Sequence, residues 1–535
     1  MGIMGRHRRA ALALLVLGAF NGFAGLNGLA GLGLGCAQAD ELYHEHWRPD
    51  FHFSPPTQWM NDPNGMVYVD GEYHLFYQYH PFSTRWGPMH WGHAVSRDLL
   101  HWQHLPIALY PDRHGAIFSG SAVFDRDNTS GLGTRERPPL VAVFAYHDHQ
   151  LEKQGAIDIE SQGIAYSLDR GRTWAKFGGN PVLKNPGLRD FRDPKVFWYA
   201  PRGRWIMTLA AGDHVSFYSS RDLKVWAHEG DFGQGMGSHA GVWECPDLVE
   251  MEILGEREHR FVLLVSVNPG APNGGSGTQY FVGRFDGRRF TPDEPSPPSA
   301  QWLDYGTDDY AGVTWSGGPL GDRRHLFLGW MSNWNYAQDV PTERWRSAMT
   351  LPRELKLVKA DRALRLRAVP VAETRTLRGR GRTLAATRVT REMELLDATE
   401  PKSAPLELAL AVRPLNAQLI SLTFRNPRGE ETVFKINRAD HRIELDRSRS
   451  GVVEFSPSFG ALQTAPMITD GDSVSLRVFL DHSSLEIFVN EGETVFSALV
   501  FPRSAYDSIV LQADQEIDLS SGAVYALKSV WEGKL

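Results

Sequence analysis

Three copies of one short pattern restrict this chain more than any other feature. Ser96-Arg97-Asp98-Leu99-Leu100-His101-Trp102 returns as Ser167-Leu168-Asp169-Arg170-Gly171-Arg172-Thr173-Trp174, and again as Ser220-Arg221-Asp222-Leu223-Lys224-Val225-Trp226. Each copy has a serine, an aspartate two residues on in a turn context, and a tryptophan four or five residues after the aspartate. The aspartates are 71 and then 53 residues apart. Between the copies, β-rich runs (66–69, 73–77, 140–146, 205–210, 261–267, 325–330) are separated by Gly, Pro, Asn and Asp, and almost no long segment keeps a helical period. Repeats of about 50–70 residues made of short strands predict propeller blades. Residues 45–355 have room for five or six of them.

Beyond Leu351-Pro352-Arg353-Glu354-Leu355 the texture changes. Val474-Ser475-Leu476-Arg477-Val478 and Ser484-Leu485-Glu486-Ile487-Phe488-Val489 alternate with period two, and Asn490-Glu491-Gly492 makes a turn. Strands with one buried and one wet face predict a β-sandwich. The expected organisation is a leader over 1–39, a propeller over 40–355, a linker over 356–375 and a sandwich over 376–535. A length of 535 residues also exceeds what one core usually serves.

The leader is read from Arg6, Arg8 and Arg9, an apolar stretch over 10–34, and Ala37-Gln38-Ala39, which places cleavage before Asp40. Six glycines and two asparagines dilute that stretch and weigh against a retained membrane anchor. Secretion is the expectation, with no membrane partner after processing. Loss of three arginines and no acid would move the net charge from −7 to −10. An acidic chain without a basic face is a poor nucleic-acid binder. Only Cys245 survives processing, so no internal disulfide is expected.

Three acids sit in contexts that hydrophobic patterning does not explain: Asp62 in Trp59-Met60-Asn61-Asp62-Pro63-Asn64-Gly65, Asp193 in Phe191-Arg192-Asp193-Pro194, and Glu244 in Val242-Trp243-Glu244-Cys245-Pro246-Asp247. Asp-Pro and Asn-Gly are ordinary turn formers, so each acid taken singly has a structural alternative. Separations of 131 and 51 residues put them on different blades, whose inner strands converge on one axial pocket. Glycosidic cleavage needs such a set: one acid to protonate the leaving oxygen, and one carboxylate to attack the anomeric carbon or activate water. No G-x-S-x-G and no H-E-x-x-H occurs. The chemistry requires no metal or cofactor, and no dedicated ligand set stands out.

Trp59 to Gly65 resembles the signature of glycoside hydrolase family 32, the invertase, inulinase and levanase family. The resemblance continues through Gln78-Tyr79-His80-Pro81, Trp86-Gly87, Trp91-Gly92-His93-Ala94, Phe118-Ser119-Gly120-Ser121, Arg192-Asp193-Pro194 and Glu244-Cys245-Pro246-Asp247. It extends to Asp304-Tyr305-Gly306, Trp330-Met331-Ser332-Asn333-Trp334, Pro352-Arg353-Glu354-Leu355 and Leu480-Asp481-His482-Ser483-Ser484-Leu485-Glu486-Ile487-Phe488. It implies an all-β chain, with a five-bladed β-propeller catalytic domain followed by a C-terminal β-sandwich. It also implies Asp62 as nucleophile, Glu244 as acid and then base, and Asp193 as stabiliser of the transition state with Arg192 beside it. Trp59, Asn61, Gln78, Trp86, Phe118, Ser119 and Trp334 would bind the sugar. Cys245 reads as a buried packing residue. Stretches 268–281 and 330–355 are similar to bacterial exo-levanases and exo-inulinases, which implies release of terminal fructose from fructans, levan foremost, with inulin and sucrose also accepted. A fructosyltransferase using the same covalent intermediate, and a non-catalytic fructan-binding propeller, are the alternatives.

Overall fold

A computed structural model describes residues 42–293, 300–360, 363–396, 405–469 and 471–531. The expected leader lies outside the described residues. Among those residues no helix is long and apolar enough to cross a membrane.

Five antiparallel sheets follow one another along the first 370 residues. The first joins Gln58–Val69, Glu72–His80, His90–Ser96 and Trp102–Leu109. The second joins Ala116–Phe124, Leu140–His147, Glu160–Ser167 and Ala175–Lys176. The third runs Phe191–Tyr199, Arg204–Ala211, His214–Ser220, Ala227–Phe232, and the fourth Val242–Glu252, His259–Asn268, Gly277–Phe285, Phe290–Pro292. The fifth takes Tyr310–Thr314, His325–Met331, Arg353–Ala360 and Ala363–Pro370. The first strand of each sheet touches the first strand of the next, and the fifth touches the first again. The ring is closed, and the blade count is five. Trp345–Arg346 pairs in parallel with the start of Gln58–Val69 and ties the two ends of the ring together.

Burial explains why propeller strands carry little alternation. Leu140–His147 is buried at every position, because neighbouring blades cover both its faces. In Glu431–Asn437 of the C-terminal domain only every second residue is buried, as one face meets the core. That domain is two sheets enclosing an apolar core that includes Leu408, Phe424, Phe434, Ile487 and Phe496. The expected linker over 356–375 requires correction. Arg353–Ala360 and Ala363–Pro370 pair as the two outer strands of the fifth blade, and the connection to the next domain shrinks to the 3-10 turn Ala372–Leu377. Lys and Arg alternate with apolar residues there because an outermost blade strand has one exposed side. In sequence this resembles a solvated connector.

The serine–aspartate–tryptophan repeat is the turn between third and fourth strands in blades one to three. Ser96, Ser167 and Ser220 donate to the aspartates two residues on at 3.0, 2.7 and 3.2 Å. Those carboxylates accept backbone N–H groups of the turn, such as His101 at 2.8 Å, Thr173 at 2.9 Å and Val225 at 3.0 Å. Each tryptophan indole then donates to the carbonyl three residues back. Asp286 repeats the turn in blade four, with Phe290 in the tryptophan's place.

The two domains share a buried charge network. Arg353, with no exposed surface, donates to Asp304 and Asp309 at 2.9 Å each, to Glu486 of the sandwich at 2.6 Å, and to Ser497. His52 bridges Asp481 at 2.7 Å and Glu486 at 2.9 Å. Beside it, the 304–308 segment lies along strand Thr494–Leu499, with Tyr305 N–H bonded to the Val495 carbonyl at 2.8 Å. A strand edge that would otherwise be open is thereby covered.

Candidate active site

The five innermost strands all break register at the same level. The breaks fall between Met60 and Pro63, between Ile117 and Gly120, over Arg192 to Lys195, between Glu244 and Asp247, and between Tyr310 and Val313. Each contains a dipeptide ending in Pro or Gly: Asp62-Pro63, Ser119-Gly120, Asp193-Pro194, Cys245-Pro246, Ala311-Gly312. A bulge leaves a residue outside the ladder, where a proline's missing N–H costs nothing, and it re-aims side chains. Asp193, Cys245 and Ala311 sit at φ 64°, 47° and 53°, a left-handed conformation that costs a non-glycine residue on the order of 1 kcal/mol.

The bulges open into a cavity of about 360 Å³. Asn61, Asp62, Gln78, Trp86, Phe118, Ser119, Arg192, Asp193, Glu244 and Trp334 all line it. The three acids therefore share one cavity while arriving from blades one, three and four. Trp59 does not line it. This residue was expected to bind sugar, but it is fully buried beneath the floor, donates to Asn61 Oδ1 at 2.8 Å, and stacks on Trp334 with centroids 5.9 Å apart. It positions the wall instead of forming it.

Asp62 Oδ2 accepts from Ser119 at 2.6 Å and Oδ1 from Asn61 at 3.0 Å. Asp193 accepts the Cys245 N–H at 3.0 Å, and the Cys245 sulfur lies 3.6 Å from Asp193 and 3.9 Å from Asp62. Burial and the surrounding acids push the Cys245 thiol well up, so it is a neutral packing group. Arg192 reaches Glu244 at 3.1 Å, Asp190 at 2.6 Å, Glu160 at 3.2 Å and Asp193 at 4.0 Å. Tyr310 donates its hydroxyl to the other oxygen of Glu244.

Burial raises the Asp62 carboxyl to about 6, against the opposing pull of Ser119, with the nearby Glu244 adding to the rise. Burial raises Asp193 further, to about 8, against Arg192 and with Glu244 and Asp62 adding to it. Acids crowded in one desolvated funnel do not all ionise together. Asp62, with two neutral donors on its oxygens, ionises before Asp193.

These shifts carry a stability signature. Asp62 and Asp193 are raised in the fold, as are Asp309 to about 8 by burial and His52 to about 9, where Asp481 and Glu486 outweigh burial. Groups with raised values stabilise the fold fully below their unfolded pKa, and that stability is lost as pH rises through the folded value. Asp193 and Asp309 place the loss between about pH 4 and 8 and His52 between about pH 6.5 and 9, at up to about 1.4 kcal/mol per pH unit for each group. Urea denaturation is expected to show a lower midpoint at pH 9 than at pH 6.5. An equal or higher midpoint at pH 9 would contradict the protonation of this set.

Sequence reasoning passed over Glu160, His147, Asp190 and Tyr310. The first three carry no motif: folding brings Glu160 to both Arg192 and His147, and Asp190 lies two residues before Arg192. Tyr310 had a signal: it precedes Ala311-Gly312 as Glu244 precedes Cys245-Pro246, the same bulge on the next blade.

The family model described as "Glycosyl hydrolases family 32 N-terminal domain" matches residues 52–368, and the model described as "Glycosyl hydrolases family 32 C terminal" matches residues 373–526. The chain is similar to a levanase of Bacillus subtilis, with 47% identity over 92% of this chain and 72% of that protein. It is similar to an extracellular exo-inulinase of Aspergillus awamori, 36% identical over 91% of this chain and 96% of that one. A crystal structure of exo-inulinase from Aspergillus awamori superposes with a TM-score of 0.81, covering 91% of this chain and all of that one. A β-fructofuranosidase of Schwanniomyces occidentalis, complexed with fructosyl-erythritol, gives 0.79 at 29% identity, covering 91% of this chain and 99% of that one.

Proposed function

The chain belongs to glycosyl hydrolase family 32, and from that premise we propose that it is a secreted exo-acting β-fructosidase that removes terminal fructose from fructans, levan foremost, by double displacement. The observation that carries the reading is that Asp62 and Glu244 face one cavity from different blades with Asp193 beside them. In the first step a carboxylate oxygen of Asp62 forms a bond to the anomeric carbon. The glycosidic bond breaks, and its electron pair takes the proton held by Glu244. In the second step Glu244 takes a proton from water, whose oxygen bonds to the anomeric carbon and releases Asp62. Retention of configuration follows from two inversions. Arg192 on one oxygen and Tyr310 on the other hold the Glu244 carboxyl in a single orientation for both proton transfers. Asp193, which lines the same cavity, would bind sugar hydroxyls.

Exo action and levan rest on relatives described as levanase and exo-inulinase. Secretion rests on the leader-like residues 1–39 and on a relative described as extracellular. The test is the product pattern. Incubated with levan, inulin and sucrose, the protein is expected to yield free fructose as the only early product from both fructans, fastest from levan. A ladder of short oligomers at early times would replace exo with endo action, and faster release from inulin would displace levan.

A further inference from the structure

Beside the pocket, on blade two, strand Leu140–His147 runs into the short helix His149–Lys153. Asp148 caps that helix, accepting Gln150 and Leu151 N–H at 2.9 and 3.1 Å. The capped turn brings Glu152 back over the strand end. Its Oε2 lies 3.1 Å from His147 Nε2 and 3.3 Å from His149 Nδ1. One ligand atom from each of the three residues falls within 4.8 Å of the other two.

The arrangement calls for positive charge among the two imidazoles and Glu152, which a second proton on His147 or a bound cation can supply. His147 Nδ1 faces Glu160 Oε1 at 3.0 Å, and Glu160 is itself held by the Phe191 N–H at 2.6 Å and by Arg192. A carboxylate only accepts, so the Nδ1 proton belongs to that contact. In a neutral His147 the Nε2 lone pair then points at a carboxylate oxygen, whose other neighbour is a second imidazole nitrogen. A second proton on His147 would settle that contact alone, whereas a cation placed among the three lone pairs also engages His149. Metal–ligand bonds of about 2.0–2.2 Å set donors about 3.3–3.4 Å apart in a tetrahedral site, close to the two separations seen here. The buried Glu160 on the far nitrogen of His147 is the outer carboxylate that metal-bound histidines commonly have. Phe118 stacks on the His147 ring at 4.3 Å and Trp86 meets the His149 ring edge-on at 5.7 Å, so both rings have fixed faces.

We propose that His147, His149 and Glu152 form a site for a divalent transition-metal cation of the zinc class at the mouth of the pocket. Two nitrogens and one oxygen suit Zn²⁺ better than Ca²⁺ or Mg²⁺, which prefer all-oxygen shells. Three protein donors leave the fourth position to water. The ion would tie the 149–153 turn to the end of the blade strand.

The test is calorimetric titration of the full, chelator-treated protein with ZnCl2 at pH 7.5, paired with melting curves. One ion per chain and a raised Tm are expected, with binding weakened at least tenfold in both His149→Ala and Glu152→Gln. His44→Ala, at the His44-Glu45-His46 run elsewhere on the chain, is expected to bind as the parent does. Unchanged affinity in both site variants, loss of binding in His44→Ala, or no heat and no Tm shift up to millimolar zinc would each overturn the proposal. None of these readouts depends on the fructosidase reading.

Discussion

Asp62→Asn is expected to lower kcat on levan by about 10⁴-fold or more while leaving the melting temperature at or above that of the parent. The first half follows from the chemistry: an amide oxygen does not form the glycosyl ester, and losing a covalent nucleophile removes the whole two-step route. The second half follows from the site. The Asp62 carboxyl is held up at about 6 by burial and by Glu244, so its charge is a burden to the fold at neutral pH. Asparagine keeps an oxygen for the Ser119 hydroxyl and removes that charge. Steady-state kinetics beside a thermal melt checks both. Activity within tenfold of the parent would take Asp62 out of the nucleophile's place, and a collapsed Tm would mean that the carboxylate is structural.

Arg353→Met is expected to cost about 3–5 kcal/mol, a large fraction of the roughly 5–15 kcal/mol that holds a folded protein together. The guanidinium has no exposed surface and serves Asp304, Asp309 and Glu486 at once. Methionine matches its volume but leaves three buried acids facing one another. Only protonation or water entry could relieve them, and both loosen the contact between blade five and the sandwich. Because Tyr305 and Asp308 hang on the same strand edge and Tyr310 follows directly, the damage should reach the pocket as lost activity before global unfolding. Denaturant titration monitored with parallel activity reads this out. With Asp309 raised to about 8, a shift below about 1 kcal/mol would show that Asp304 and Glu486 are neutral as well and that the network adds little.

Much of this was legible from residues alone. The turn repeat is local chemistry, in which a serine, a carboxylate and an indole satisfy one another within eight positions, so it marked the blades without any tertiary knowledge. Asp62, Asp193 and Glu244 were legible because each sits in a bulge, and a bulge forces unusual neighbours such as Pro63, Pro194 and Pro246. The linker was misread because Arg353–Ala360 and Ala363–Pro370 pair as outermost strands, whose half-exposed pattern is that of a solvated connector. Trp59 was misread because motif membership does not say which residues of the motif face the ligand.

By itself, then, the order of residues determined the class of fold, the number of domains and the three acids, since strand period, turn chemistry and bulge dipeptides all act over a few neighbouring positions. Only the closed ring decided the rest: that five bulges lie at one level, that Arg192 gathers Glu160 from another blade, and that Arg353 stands between two domains. Those contacts join residues tens to more than a hundred positions apart, and nothing local in the chain sets the distance between them.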